Sequence, residues 1–565
     1  MKSKDLDKAS ENILSEYGEQ IARRSKSCGS FPARREARRI LREMERVLAA
    51  REESDEGAWR WICDNRYLVE REARSAAMDF SVREQLRAGG RDALVCEAAR
   101  ELVARLGGDV DENEASAYFE GYQSVTPLTM RELELLPAAI KAGLVEIIAG
   151  ETLSGSPSEG IVSAAISSLR HFATADMTRF IEGADLVSRT FALDPAGAYA
   201  DMDERSRALY RRRNARLARR EGMSELDCAR RALELAREHE GDERRSHVGW
   251  WIFVEPLGRP GHTSSGALYA LAVAVLSAAL GVALGYISGG VWTAFLTLLP
   301  ASELIKNAID AILLRKLPAR LLLRMELAQG VPESARTVLA VSAVLASPKD
   351  GEKLARRLET FSFAARDCGK NLSFALLCDL VEAGSEHTDA DAAAVASAQR
   401  AVDGLNEKYG GGFYLFTRPR RENKRDGIWT PHERKRGALM ALAALCSGHY
   451  SELECRSGDL SALEGTKYIL ALDADTTLLP GAARELIGAM AHPLNRARVE
   501  PSLRRVTEGR GIIHPRVSVE LAASESTHFS RVAAGPGGMD AYGSACGEVW
   551  MDLTGCGGFA GKGII

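Results

Sequence analysis

The chain has 565 residues, of which 45% are apolar and 27% are charged, and its formal net charge is −4 at pH 7. A chain of this length is expected to hold several domains, because single cores rarely grow beyond ~250–300 residues, and its composition excludes a disordered protein. The near-neutral charge gives no indication of a nucleic-acid partner, and the ten cysteines contain no C-x-x-C pair that would indicate a zinc site or a disulfide framework.

Residues 1–259 carry the pattern of amphipathic helices. In ARREARRILREMERVLAA, residues 33–50, apolar side chains recur at the i, i+3, i+4 and i+7 spacing of one helix face: Ala37, Ile40, Leu41, Met44, Val47 and Leu48. Arginine and glutamate fill the opposite face. Between Asp201 and His247 basic and acidic residues nearly balance, which is typical of a solvated helix surface, with an RNA- or lipid-binding face as the alternative. Because the region shows no candidate catalytic group, we expect a helical cytosolic scaffold.

The next region is apolar, and residues 260–302 contain no Asp, Glu, Lys or Arg. A helix needs ~20 apolar residues to cross a bilayer, so this stretch is long enough for two crossings. We therefore expect residues 260–315 to form a transmembrane helical hairpin with spans of about 267–288 and 291–312, turning at Gly289 and Gly290. A buried helical hairpin in a soluble domain is the alternative.

The second predicted span is the weaker one, because Glu303, Lys306 and Asp310 lie in its C-terminal half. Basic residues flank both ends of the predicted hairpin: Arg244, Arg245 and Arg259 before it, and Arg315, Lys316, Arg320 and Arg324 after it. By the positive-inside rule, both flanks are expected on the cytosolic side.

After Pro332 the pattern changes to alternating strands and helices. The predicted strands are 336–347, 371–380, 412–418 and the run that ends at Asp473, and the helices between them are 350–363, 389–410 and 432–447. This alternation predicts a mainly parallel sheet covered on both faces. The fold class expected for the chain is thus α + α/β, with an α/β domain over residues 330–565.

Acidic residues stand at the ends of two of these strands. Asp379 ends one strand, and Asp473 and Asp475 in LALDADTTLLPG end another. Because strand residues i and i+2 point to the same face, we expect the two later carboxylates to converge at the edge where open α/β sheets bind ligands. A helix N-cap or turn role is the alternative for Asp379.

A dense basic segment, RPRRENKRDGIWTPHERKRGAL, lies between these acids at residues 418–439. We expect Thr430 to cap a helix that Pro431 starts, which would place Lys435 in its first turns, where a phosphate group is favoured. A surface patch that faces anionic lipid is the alternative.

Three mechanisms fit the acid pair Asp473 and Asp475. The first is the nucleophile motif of haloacid-dehalogenase phosphatases, which expects Gly where Thr476 stands. The second is a structural pair without a ligand. The third is the DxD motif of a nucleotide-sugar transferase with the GT-A fold, in which Mg²⁺ or Mn²⁺ bridges the carboxylates and the diphosphate. The late GCGGFAGKG is not a P-loop, because Gly563 stands where Ser or Thr is required.

Several further segments occur in a characteristic order along the chain. They are PLTMRELELLPAAIKAGLVE (127–146), FALDPAGAYADMD (191–203), RRSHVGWW (244–251), PASELIKN (300–307), FALLCD (374–379), HERKRGAL (432–439), AMAHPLNR (489–496), GRGIIHPRVSV (509–519) and GGFAGKGI (557–564). Together with the DxD segment, they resemble the N-terminal part of the cyclic β-1,2-glucan synthases, including the start of their family-2-like GT-A glucosyltransferase domain.

The resemblance implies a multi-pass enzyme of the bacterial inner membrane with a cytoplasmic catalytic domain. It would be an inverting, processive hexosyltransferase that uses UDP-glucose and Mg²⁺ or Mn²⁺ to build a β-1,2-linked glucan, with the protein itself as primer. Its partners would be the sugar nucleotide, the growing β-glucan and the lipid bilayer, and no nucleic acid is expected.

The resemblance also implies roles for individual residues. Asp473 and Asp475 would hold the metal and the diphosphate, Asp379 would contact the nucleotide, and Lys435 with Arg434 and Arg436 would line the phosphate side. Asp552, as a third catalytic candidate, would belong with Phe559 and Lys562 to the acceptor wall and its loop. The family has G-E-G-S-F where this chain has GCGGF, so that Cys556 replaces an acid.

We also expect the chain to be the N-terminal part of a longer polypeptide. The catalytic base and further membrane helices would then lie beyond Ile565, and the chain alone would bind UDP-glucose without elongating glucan. A membrane-anchored sugar-nucleotide-binding scaffold without turnover is the alternative from a different class. The residues alone predict neither the linkage and cyclisation of the product nor the primer site or the oligomeric state.

Overall fold

The computed structural model describes residues 2–25, 27, 29–49, 57–90, 92–259, 266–316, 321–515, 517, 519–533, 548–555, 557 and 561–565. The chain divides into two compact units. The helical unit comprises Met1–Tyr199 and Arg207–Arg259, and the sheet unit comprises Ala200–Ser206 and Pro260–Ile565.

The helical unit is built from α-helices and one antiparallel pair of short strands, β1 (Gly29–Pro32) and β2 (Gln85–Ala88). Its helices are α1 (Lys2–Arg24), α2 (Ala33–Ala49), α3 (Ala58–Asp64), α4 (Arg66–Asp79), α5 (Leu94–Arg105), α6 (Glu112–Val125), α7 (Met130–Leu153), α8 (Glu159–Thr174), α9 (Met177–Ala184), α10 (Leu186–Phe191), α11 (Glu204–Glu221) and α12 (Glu225–Glu238).

The amphipathic stripe predicted for residues 33–50 faces the core of this unit. Ile40 and Val47 of α2 are buried, whereas Leu41 is exposed and does not belong to the buried face. Burial of each large aliphatic side chain stabilises the fold by about 1.5–3 kcal/mol. The helical nature of the N-terminal region is therefore confirmed, with a slightly narrower apolar face than predicted.

The helical unit contains a buried polar network around His247. The imidazole of His247 lies 2.6 Å from a carboxylate oxygen of Asp194 through Nδ1 and 2.6 Å from the hydroxyl of Tyr210 through Nε2. The other oxygen of Asp194 accepts a hydrogen bond from the backbone N–H of Val248. A Cβ atom on Gly249 would lie 2.1 Å from the Tyr210 hydroxyl, so the close packing requires glycine at this position.

The sheet unit begins with two helices, α13 (Ala267–Ser288) and α14 (Val291–Leu314), which pack against each other. Among the described helices, α13 alone is long and apolar enough to cross a membrane, with a mean hydropathy of 2.3 in its most apolar window. The α14 helix carries an ion pair between Lys306 and Asp310, and Asp310 accepts a hydrogen bond from the Tyr269 hydroxyl of α13. A helix pair is thus present, while two membrane crossings are not established.

The rest of the sheet unit alternates strands and helices. Its strands are β3 (Thr337–Leu345), β4 (Leu372–Leu380), β5 (Phe413–Arg418), β6 (Arg421–Asn423), β7 (Ile428–Thr430), β8 (Glu454–Ser457), β9 (Tyr468–Asp473), β10 (Arg498–Glu500), β11 (Arg505–Glu508) and β12 (Gly563–Ile564). Its further helices are α15 (Pro348–Ala364), α16 (Asp389–Tyr409), α17 (Arg434–Cys446), α18 (Ala482–Ala491), α19 (Leu521–Glu525), α20 (His528–Ala533) and α21 (Glu548–Thr554).

A six-stranded sheet with the order β12-β9-β3-β4-β5-β8 forms the centre of this unit. The four inner strands are parallel, and the two edge strands, β12 and β8, are antiparallel to their neighbours. The predicted mainly parallel sheet is therefore confirmed, and the sheet is mixed because of its edges.

Apolar side chains cover both faces of the sheet. Along β3, Leu339 and Val341 pack into one core with α15, α16 and α18, and Val338 and Ala340 pack into a second core with α17. This alternation follows from the strand period of two. Burial on both faces explains why the inner strands are continuous apolar runs in the sequence.

Candidate functional site

The C-terminal ends of the parallel strands bring the predicted acidic residues to one edge of the sheet. Asp473 is the last residue of β9 and lies opposite Ser342 of β3. Asp379, near the end of β4, lies opposite Val344 of β3 and Arg418 of β5. Parallel strands end at the same edge, which in open α/β sheets is where ligands bind.

Asp473 is held between two lysines. The Nζ atom of Lys435 donates to Oδ1 of Asp473 and to the backbone carbonyl of Gly561. The Nζ atom of Lys562 lies 3.2 Å from the second carboxylate oxygen, Oδ2. Partial burial opposes ionisation of Asp473, but the hydrogen bonds and charges of the two lysines outweigh it and hold the pKa of this carboxyl below its usual value.

Asp475 does not share a strand face with Asp473, and this part of the prediction is wrong. The strand ends at Asp473, and the chain then turns, with the backbone N–H of Thr476 donating to the Asp473 carbonyl. Asp475 lies exposed in that turn and has no hydrogen-bond or ion-pair partner among the described residues. The turn is fixed by Arg357, whose guanidinium donates to the carbonyl of Thr476 at 2.6 Å.

Of the three basic residues predicted to line a phosphate group, the structure places Lys435 against Asp473. Arg434 instead binds the exposed carboxylate of Glu382, and Arg436 binds Glu433 in the preceding turn. The three residues occupy the first turn of α17 as expected. Successive helix positions point about 100° apart, so they cannot all face one site.

The α17 helix starts later than predicted, at Arg434 rather than at Pro431. The reason is that Ile428–Thr430 forms β7 and pairs with β6, which keeps the backbone extended through Thr430. Glu433 and Arg434 then adopt positive φ angles of 53° and 43° before the helix continues. The proposed cap at Thr430 is therefore wrong.

Asp379 is fully engaged by a buried arginine. Arg418 donates to both carboxylate oxygens of Asp379 at 2.9 Å and also to the carbonyls of His432 and Arg434. The Arg418 side chain is 3% exposed, and that of Asp379 is 10% exposed. This bidentate pair joins the end of β4 to the start of α17, and Arg418 was missed as a site residue although it ends the strand next to Asp379.

The last described residues bring Lys562 to the site. Gly563 and Ile564 form β12 and pair with Ala471 and Leu470 of β9, so the side chain that precedes them reaches the end of that strand. Asp552 lies half-buried in the short helix α21. Phe559 and Cys556, which the resemblance places in the same loop, lie outside the residues that the structure describes.

The chemistry of the donor set fits a divalent cation that arrives with a phosphate ligand. Within the described part of the chain, no group of three or more His, Cys, Asp or Glu residues could hold a metal ion alone. Mg²⁺ is commonly bound by one or two carboxylates together with substrate phosphates rather than by a complete protein cage. Asp475 offers an open carboxylate for such an ion, while both oxygens of Asp473 contact ammonium groups.

The comparison with known proteins agrees with the resemblance seen in the sequence. The chain is 30% identical over 456 residues to the cyclic beta-(1,2)-glucan synthase NdvB of Rhizobium meliloti (strain 1021). The match covers 74% of this chain and 16% of the length of that relative. No family model matches the chain. The predicted relation to the cyclic β-1,2-glucan synthases is thus confirmed.

Proposed function

We propose that the sheet unit is the sugar-nucleotide-binding part of a glucosyltransferase that builds β-1,2-glucan from UDP-glucose. The observation that carries this proposal is the similarity to a cyclic β-1,2-glucan synthase over most of the chain. A covered, mainly parallel sheet with acidic and basic side chains at its C-terminal edge supports the same activity. The corresponding fold is the GT-A type.

The site's own side chains suit a sugar diphosphate. Lys435 and Lys562 carry the positive charge that a diphosphate needs, and charge-assisted contacts between ammonium and phosphate are among the stronger hydrogen bonds in proteins. Asp473 and Asp475 would hold Mg²⁺ or Mn²⁺, which when bound neutralises charge on the leaving diphosphate. Asp552, on α21, is the candidate for the acceptor side.

The helix pair α13 and α14 would anchor the transferase in the bacterial inner membrane, with both flanks cytoplasmic. The apolar surface of α13 supports this, because only 11% of its most apolar window is buried. A single cysteine at Ser288, the last residue of α13 before the connection between the helices, should then react with an impermeant maleimide from the outer side only. A cysteine at Lys316 should react from the inner side, and labelling of both positions from one side would contradict the hairpin.

The proposed function is tested by binding of UDP-glucose to the purified chain in lipid nanodiscs with Mn²⁺. Asp475→Ala removes the open carboxylate and should weaken metal-dependent binding by at least about 10–100-fold, the range seen even for outer-shell partners of metal sites. Glu407→Ala is the matched control, because Glu407 is exposed at the end of α16, on the opposite edge of the sheet. Unchanged calorimetric affinity in Asp475→Ala would refute the metal role of this turn, and absence of UDP-glucose binding in the wild type would refute the function.

A further inference from the structure

The charges around Asp473 balance before any ligand is present. Two carboxylates, Asp473 and Asp475, stand at the end of β9 and in the turn after it, and two ammonium groups contact the first of them. We propose that Lys562, together with Lys435, acts as a counter-ion that makes this site accept a divalent cation and a nucleoside diphosphate only as a pair. This inference rests on the proposed function and concerns how the donor enters.

The contacts show that the lysines are built into the site. Lys435 is anchored by α17 and donates to both Asp473 and the carbonyl of Gly561. Lys562 reaches the carboxylate from the other side, next to the edge strand β12. The side chains of Lys435, Lys562 and Asp473 are 28%, 19% and 33% exposed, so water screens these charges only partly.

Electrostatics then penalises either ligand alone. A divalent cation without a phosphate ligand would meet a carboxylate already neutralised by two ammonium groups, and it would be repelled by them. A diphosphate without the cation would meet the lysines but also two carboxylates of its own sign. The diphosphate diester of UDP-glucose carries two negative charges, so a divalent cation and this donor together add no net charge; with UDP, the cation offsets all but the extra charge of the terminal phosphate. The pair therefore enters with far less uncompensated charge in a partly buried site than either ligand alone.

When the cation and the diphosphate bind together, a lysine must exchange its contact with Asp473 for a contact with a phosphate oxygen. The flexible lysine side chain allows this exchange. An ammonium group on a four-carbon stem can leave Asp473 and bind a phosphate oxygen without movement of the backbone. Lys562 is the residue to test, because it lies 3.2 Å from Asp473 beside the two-residue edge strand β12, whereas Lys435 stands in the first turn of α17. Arg357 is the other cation next to this turn, where it donates to the backbone carbonyl of Thr476. None of the substitutions proposed below changes Arg357, so its charge is the same in the wild type and in every variant.

Binding experiments with single ligands separate this proposal from a general role in folding. The probes are Mn²⁺ alone, UDP alone and both together, titrated by calorimetry into the full chain in nanodiscs. Lys562→Met should bind Mn²⁺ alone about tenfold more tightly and UDP alone about tenfold more weakly than the wild type, as expected for removal of one partly screened charge. Lys562→Arg keeps the charge and should retain the wild-type pattern.

The opposite change should follow from removing a negative charge. Asp475→Asn should bind UDP alone more tightly, by a similar factor, while binding Mn²⁺ alone more weakly. The matched control is Lys353→Met, because Lys353 is an exposed lysine on α15. This substitution should change neither the affinity for Mn²⁺ alone nor the affinity for UDP alone. If Lys562→Met does not fold by circular dichroism, Lys562→Gln makes the same test.

The outcomes distinguish this inference from the proposed function. If wild-type chain binds UDP with Mn²⁺ but Lys562→Met and Lys562→Gln bind each single ligand as the wild type does, the counter-ion role is refuted and the proposed function stands. If Lys562→Arg changes the affinities as much as Lys562→Met, the role is one of packing, and the inference is also refuted. If the wild type does not bind UDP under any condition, the proposed function fails, and the inference fails with it.

Discussion

Replacing Asp379 by asparagine should destabilise the sheet unit strongly, because it leaves the guanidinium of Arg418 buried without a counter-ion. Arg418 is 3% exposed and donates to both Asp379 oxygens at 2.9 Å. Breaking a buried ion pair by removing one partner costs about 3–5 kcal/mol. Asparagine keeps one acceptor, so we expect the lower end of this range, about 3 kcal/mol. For a unit of roughly 300 residues this corresponds to a fall in melting temperature of about 4–6 °C.

The assay is thermal unfolding of the full chain in detergent, followed by circular dichroism. Glu382→Gln is the control, because it breaks the exposed pair with Arg434, and exposed pairs contribute at most about 1 kcal/mol. The double variant Asp379→Leu with Arg418→Met should regain part of the stability, since apolar side chains replace buried pairs with little loss. It should not regain all of it, because the carbonyls of His432 and Arg434 lose their donor.

The same variants decide between the structural and the nucleotide-binding role of Asp379. If the carboxylate mainly holds Arg418, stability and UDP-glucose binding should fall together in Asp379→Asn and recover together in the double variant. If Asp379→Asn kept the wild-type melting temperature within 2 °C (about 1 kcal/mol or less) and lost UDP-glucose binding, the reasoning from burial would be refuted. The carboxylate would then serve the nucleotide.

Two further predictions concern other parts of the fold. Hydrogen bonds from Arg420 lower the pKa of Asp391 from its ordinary 3.8 to about 2, so the ionised carboxylate stabilises the fold fully above pH 4, and this stabilisation is lost as the pH falls from 4 toward 2. Unfolding measured against pH should show this loss, and Asp391→Asn should lack it. Gly249→Ala should destabilise the helical unit by about 1–3 kcal/mol, measured by thermal unfolding, because its Cβ would lie 2.1 Å from the hydroxyl of Tyr210. Gly150→Ala is the control, because its Cβ would meet nothing within 4 Å. This variant should have an unchanged or higher melting temperature.

The strands of the sheet unit could be predicted from the sequence because each is a long apolar run between helical patterns. The predicted strands at 371–380 and 412–418 correspond to Leu372–Leu380 and Phe413–Arg418 in the structure. Short strands that form because they pair with a neighbouring strand, and not because of their own composition, could not be predicted in this way. Ile428–Thr430 is only three residues long and exists because it pairs with Arg421–Asn423.

The turn after Asp473 shows a second limit of sequence reasoning. Side chains i and i+2 share a face only inside a strand, and the predicted convergence of the two carboxylates requires the strand to continue to Asp475. Pairing with β3 ends at the Asp473–Ser342 position, and the chain turns immediately afterwards. The exact end of a strand is set by its neighbour, which a single sequence does not contain.

The partners of Asp473 depend on contacts even more distant in the chain. Lys435 belongs to a conspicuous basic segment, so its approach to an acidic strand end could be expected from charge alone. Lys562 reaches Asp473 because a strand of two residues pairs antiparallel with β9. A separate bridge between Ile564 and Ile513 brings Gly563 so close to Ile513 that a Cβ atom would lie 2.5 Å from the Ile513 carbonyl oxygen. Glycine after Lys562 is therefore part of what positions the lysine, and a larger residue there would move the ammonium group away from the carboxylate.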